Sequence, residues 1–316
     1  MAAFWMLEGL CLRDITVTQV GLFSSPNGKT GWVYHGIVVP RGAAGAWDGG
    51  GIASPGAAVG ADGTVVVGFA AESSPNGGVD RTVGLATAPH PLGPFTKMLA
   101  PIASAAECKS YAAPTTGPCH DKCGCASMCD DVIMQSRPGG EIHLYYSSKT
   151  YQKGLGIHHR VSRTNGKSWS SSTIVLSMNA SVTPTPGGGA PVETIAGKYF
   201  PELLGGKGAM VLIADGGPGW CLHAYVSAAP GDMEHFVAAQ QPCLATHPPS
   251  GSAVGDWAEI QIAFVPVANG SVASVGFTLW DGKVAARGEG YTMTLYDLTL
   301  TNASGAASAA HAVAAV

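Results

Sequence analysis

Charge is scarce in this chain: Asp, Glu, Lys and Arg make up 12% of its 316 residues, and the 17 basic side chains never gather into a run. Without a basic stripe there is no electrostatic footprint for nucleic acid or for an anionic membrane surface, so neither is an expected partner. Long apolar runs are missing as well. No stretch reaches the roughly 18 consecutive apolar residues that a membrane span needs, and no long segment keeps a helical period between caps. There is no phosphate-binding Walker loop, no GxSxG nucleophile elbow and no HExxH zinc motif, which sets aside the chemistries those motifs carry. The first ten residues lack a basic region and their apolar run is broken by Glu8, so no signal sequence is visible.

What the chain does have is glycine, proline and small apolar residues. With 44 Gly, 21 Pro and 46% hydrophobic content, it reads as a compact chain rich in turns, able to fill a core. Its length is compatible with one all-β domain. Eight cysteines, at 11, 108, 119, 123, 125, 129, 221 and 243, suit disulfides in an oxidising compartment. N-x-S sequons at Asn179, Asn269 and Asn302 point the same way. The expected location is therefore secreted or lumenal. The cluster Cys119, His120, Cys123, Cys125 and Cys129 has an alternative reading as a zinc site, although the paired C-x2-C spacing of structural zinc sites is absent.

Short β-rich segments follow glycine turns at Gly63, Gly140, Gly208 and Gly270, at spacings of 77, 68 and 62 residues. Third-strand phrases recur after them, running from Val83 to Phe95, Gly156 to Trp169 and His223 to Phe236, with a further copy from Val20 to Trp32. Such a period predicts an all-β, five-bladed β-propeller with an incomplete or irregular first blade. Its expected divisions are a partial closing blade over 1–47, blades over 48–103, 129–180, 190–247 and 256–300, a Cys-rich loop over 104–128, and a flexible tail over 301–316.

Propeller blades gather their first strands around a central channel, so acids at the heads of those strands converge. Asp48, the pair Asp130 and Asp131, Glu193 and Glu259 fall at these heads, in a chain with only 21 acids. Each has a plainer reading. Asp48 and the glycines after it suit an Asx turn, one of the adjacent pair must point away, and Glu193 could be a surface acid.

Three phrases resemble the five-bladed glycoside hydrolases of family 43 and their relatives in families 32, 68 and 117. These are Val83-Gly-Leu-Ala-Thr-Ala-Pro-His-Pro-Leu-Gly-Pro-Phe95, Cys129-Asp-Asp-Val132, and Val192-Glu193 ahead of Gly197-Lys-Tyr-Phe200; Tyr291–Leu300 resembles the closing strand. The resemblance implies Glu193 as general acid and Asp131 as the carboxylate that raises the acid's pKa by like-charge repulsion. The family's base phrase, an Asp-Pro on the first inner strand, is not evident. Asp48 is preferred for that role, with Asp14 as the alternative. Trp47, Arg81, Trp220, Trp257 and Glu259 are the substrate-binding candidates. Trp residues could stack on a sugar face, though any of them could equally be core. Ser162–Trp169 resembles the sialidase Asp-box with Asn165 in place of Asp, a folding turn rather than a binding motif. The function implied is hydrolysis of glycosidic bonds in an oligo- or polysaccharide, with a catalytically inactive carbohydrate-binding propeller as the alternative. No organic cofactor is called for, and a structural divalent cation in the central channel would be compatible.

Overall fold

The computed structural model describes residues 2–7, 19–26, 31–73, 81–104, 106–108, 128–150, 153–177, 195–201, 203–216, 221–238, 260–265, 272–279, 292–300 and 307–315. Most of them are strand, and the one helix among them is the short Leu203–Gly206. Two compact units divide the chain, residues 1–182 with 189–192, and 183–188 with 193–316. Among the described residues no helix is long and apolar enough to cross a membrane.

In the first unit, β1 (Ala2–Leu7), β2 (Gln19–Ser24) and β3 (Val33–Val39) form an antiparallel meander. A second meander comprises β4 (Gly51–Val59), β5 (Val65–Glu72), β6 (Arg81–Ala88) and β7 (Thr96–Lys97). The third comprises β8 (Met128–Ser136), β9 (Ile142–Thr150), β10 (Lys153–Ser162) and β11 (Thr173–Ser177). One parallel bridge, Arg81 to Met128, joins the second meander to the third. The second unit holds β12 (Ile195–Phe200) to β15 (Phe236–Ala238) by way of β13 (Ala209–Gly216) and β14 (Cys221–Ser227). It also holds β16 (Ile260–Val265), β17 (Val272–Leu279), β18 (Thr292–Leu300) and β19 (Ala307–Ala315).

The first meander has three strands among the described residues where each of the others has four, and its β2/β3 register is broken twice. At the other end, the tail expected to fray carries β19, which pairs with β18. Its Ala-rich composition is weakly β-forming in isolation, but an edge strand that needs only backbone hydrogen bonds tolerates small side chains.

Period-2 alternation decides how the first unit packs. Along β5, Val65, Val67, Phe69 and Ala71 join Val20, Val39, Ile52 and Ala86 in one buried cluster. Val66, on the opposite face, joins Val83, Leu85, Val132, Met134, Ile142, Leu144 and Tyr146 in another. A strand buried on both faces reads as a continuous apolar run, which is why Val65 to Ala71 shows no polar alternation. Close approach is secured by glycine: a Cβ on Gly56 of β4 would stand 2.5 Å from the Val132 carbonyl oxygen and 2.9 Å from the Met134 nitrogen. The Asp-box-like turn has the structural role expected of it. Ser162 Oγ accepts from the Gly166 amide at 2.9 Å, and Asn165 Oδ1 accepts from the Ala61 amide at 3.0 Å, tying the third meander to the second.

Cys108 and Cys129 form a disulfide with a Cα separation of 5.6 Å. Cys129 is thereby withdrawn from the alternative zinc cluster, and Cys119, Cys123 and Cys125 lie outside the described residues. On the far side of β9, His143 Nδ1 and His159 Nε2 share one hydrogen bond at 2.9 Å with the rings stacked. Burial, reinforced by the charges of Arg137 and Arg163, holds His143 at about 4. Burial and the neighbouring His143 hold His159 at about 3.

Two outcomes follow from this packing. Gly56→Ala forces backbone against backbone and should cost about 1–3 kcal/mol in a urea unfolding titration with unchanged m-value. The histidine pair sets an acid limit. Because both pKa values lie below the usual 6.5, the unfolded chain takes up protons that the folded chain refuses once the pH drops under that value. Unfolding free energy should therefore fall between pH 6.5 and about 4, by up to about 1.4 kcal/mol per pH unit for each histidine, and His159→Gln should flatten the slope.

Candidate active site

The first strands of the second and third meanders, β4 and β8, lie beside one another and both are bulged. In β4, Ala53 pairs with Ala70 and Gly56 with Gly68, so Ser54 and Pro55 face a single residue. In β8, Asp130 pairs with Ser147 and Val132 with Tyr146, which leaves Asp131 as the extra residue. Ser54 (φ 47°) and Asp131 (φ 43°) occupy the left-handed region. A non-glycine residue held there costs about 1–3 kcal/mol and persists only where its surroundings over-determine it. Bulges re-aim side chains, and two of them on adjacent inner strands concentrate polar groups at one strand end.

Those groups form a connected set. Arg81, the first residue of β6, donates from Nε to Glu72 Oε1 at 2.5 Å and from Nη1 to Asp130 Oδ2 at 2.5 Å. Asp130 Oδ1 accepts from the Asp131 amide at 3.0 Å and from Ser54 Oγ at 3.4 Å, while Ser147 Oγ donates to the Asp130 carbonyl at 3.1 Å. Asp130 and Asp131 are buried, whereas the Arg81 side chain is 30% exposed. Burial alone would lower the pKa of the guanidinium, but the charges of Asp130 and Glu72 outweigh it and hold Arg81 above its ordinary value. Two carboxylates, Glu72 and Asp130, thus share one guanidinium, which fixes both in place. Among the described residues, no group of three or more His, Cys, Asp or Glu stands close enough to hold a metal ion.

A second network anchors the loop that enters this region. Glu107 takes Arg160 Nη2 at 2.6 Å and accepts from Tyr146 Oη, and Tyr146 Oη also reaches Ser172 at 3.0 Å. Burial and the hydrogen bond to Glu107 push the Tyr146 phenol up to about 12. Next to Glu107, Cys108 is bridged to Cys129, the residue before Asp130. The head of β8 is thus covalently tied to the preceding loop.

The sequence-predicted residues fare differently. Asp131 and Arg81 stand at this strand end. Asp48 lies in the turn that leads into β4, 2% exposed, with its carboxylate in an ion pair with Lys97 of β7. Lys97 also donates to the Pro40 carbonyl at 2.9 Å. The Asp48 carboxylate is thereby engaged by Lys97. Trp47 is partly buried against the core, stacked on Phe69 at 6.0 Å and beside Gly84. Glu193, Asp14, Trp220, Trp257 and Glu259 lie outside the described residues. Sequence reasoning missed Glu72 and Ser54. The signal for Glu72 was available, since it closes β5 directly opposite Arg81 in the hairpin register. Ser54 offered none, because a bulge depends on the partner strand.

No family model matches the sequence. No curated protein matches it either. Solved structures do match over nearly the whole chain. An endo-1,4-β-xylanase from Bacteroides thetaiotaomicron aligns with a TM-score of 0.58 and 16% identity over 98% of this chain and 91% of its own. An α-L-arabinofuranosidase from Clostridium thermocellum gives 0.58 and 13% over 100% and 92%. A glycoside hydrolase family 43 arabinoxylan arabinofuranohydrolase from Bacillus subtilis gives 0.57 and 19% over 94% and 59%. At identities this low the shared property is architecture, and the chain has the all-β propeller fold of the family 43 glycoside hydrolases.

Proposed function

We propose that this chain is a glycoside hydrolase that cleaves an oligo- or polysaccharide by carboxylate acid/base catalysis. The observation that carries the reading is the bulged head of β8, where two adjacent buried acids are held beside Arg81 on a first strand of a fold shared with glycosidases. Glycoside cleavage needs one carboxylic acid to protonate the leaving oxygen and a carboxylate to activate water or attack carbon. In this reading Glu193 is the acid and Asp131 the supporting carboxylate, the roles the family resemblance implies. Asp48 is committed to Lys97, so the remaining role falls to Asp14, the other acid the sequence offers for it. The buried Cys108–Cys129 disulfide supports a secreted or lumenal setting, where such bonds persist.

The inactive, sugar-binding alternative draws on that same commitment of Asp48, and one assay separates the two. Xylo-, arabino- and galacto-configured oligosaccharides and the matching nitrophenyl glycosides are offered to the wild type and to Glu193→Gln and Asp14→Asn variants. Glu193→Gln should lower kcat on the oligosaccharides by about 10²–10⁴-fold and spare the nitrophenyl substrates, whose leaving group needs little protonation. Asp14→Asn should damage both substrate types alike. Binding of a sugar by the wild type with no turnover of any substrate would sink the hydrolase reading.

A further inference from the structure

We propose that Arg81 is a positioning residue: it fixes Asp130, and through Asp130 the bulge that presents Asp131, rather than contacting substrate itself. Its consequence for catalysis rests on the hydrolase reading; its structural content does not. The chain of contacts is continuous. Glu72 takes Nε of Arg81, Nη1 takes Asp130 Oδ2, and the other Asp130 oxygen accepts from the Asp131 amide. Asp131 is held at φ 43°, so the backbone there needs a partner that fixes its N–H direction. The Asp130 carboxylate supplies that partner, and Arg81 Nη1 at 2.5 Å grips it more closely than Ser54 Oγ at 3.4 Å.

The fork geometry matters more than the charge. Glu72 and Asp130 come from different strands, β5 and β8, and one planar guanidinium serves both at 2.5 Å. A lysine carries the charge on a single point and cannot reproduce two divergent N–H directions. Arg81 also stands at the Arg81–Met128 bridge, a parallel link between the second and third meanders. Loss of its side chain therefore acts where β8 enters the sheet.

The test compares the wild-type chain with Arg81→Gln and Arg81→Lys by amide hydrogen exchange and by kinetics on the nitrophenyl glycoside it turns over. In Arg81→Gln the Asp131 amide should exchange faster by about tenfold or more, beyond any change at Val67 and Leu144 in neighbouring strand interiors. Arg81→Lys should restore only part of that protection. In the kinetics, kcat should fall about a hundredfold, the scale of a small misplacement of a reacting group. KM should stay within about threefold, because no ground-state contact is lost. A rise in KM with kcat preserved would make Arg81 a substrate contact and overturn the proposal, as would unchanged relative exchange at Asp131. If the wild type hydrolyses no glycoside, the hydrolase reading fails and the exchange measurement alone decides the positioning role.

Discussion

The ion pair from Arg81 to Asp130 is the contact on which the polar end of the first unit depends. It joins β6 to β8 beside the parallel Arg81–Met128 bridge. Buried charges are costly unless paired and hydrogen-bonded. Here the cost is offset by Glu72, Ser54, Ser147 and the Asp131 amide acting on the same centre, so removal of any one partner weakens the others. Two non-glycine residues in the left-handed region survive beside it for the same reason. The strain at Ser54 and Asp131 is held by this set of polar contacts and by apolar packing of Val132 and Met134 immediately beyond.

The packing below the site can be traced to small residues. Gly56 and Gly68 let β8 lie against β4 and β5, since a Cβ on Gly68 would stand 2.7 Å from a Val132 methyl. Gly84 makes room for Trp47, and Gly166 for Val66. Glycine in a strand interior weakens the strand itself. In return it brings two inner strands close enough for Ser54 on one to reach Asp130 on the other. Asp48 belongs to this scaffolding. Its pairing with Lys97 fastens the connection between β3 and β4 to the outer strand β7, with Trp47 inserted beneath.

Much of the fold was legible because propeller strands leave strong local marks. Glycine turns at Gly63, Gly140 and Gly208 precede β5, β9 and β13, and the alternation along β5 sorts its residues between two cores. The site was only half legible. Sequence position brought Asp131 to the head of a first strand, but nothing local announces that Asp131 is the extra residue of a bulge or that Asp130 takes the arginine. Both facts depend on register with β9 and on contact with β6, which are far away in sequence. Asp48 shows the reverse failure. Its Trp-Asp-Gly-Gly setting resembles an inner-strand phrase, yet Lys97, 49 residues on, claims the carboxylate. Local pattern cannot foresee a partner of that kind.

The third meander carries opposite electrostatic solutions at its two ends. Towards the start of β8, burial is answered by charge: Asp130 is ionised against Arg81, and Ser147 of β9 braces its carbonyl. Towards the other end of the same strand pair, burial is answered by neutrality. His143 of β9 and His159 of β10 share one proton in a hydrogen bond that a doubly charged pair could not make, because an imidazolium has no acceptor nitrogen. Arg137 and Arg163 near His143 reinforce the neutral state rather than opposing it. One four-stranded element thus holds the Asp130 carboxylate against an arginine at one end and a neutral histidine pair at the other.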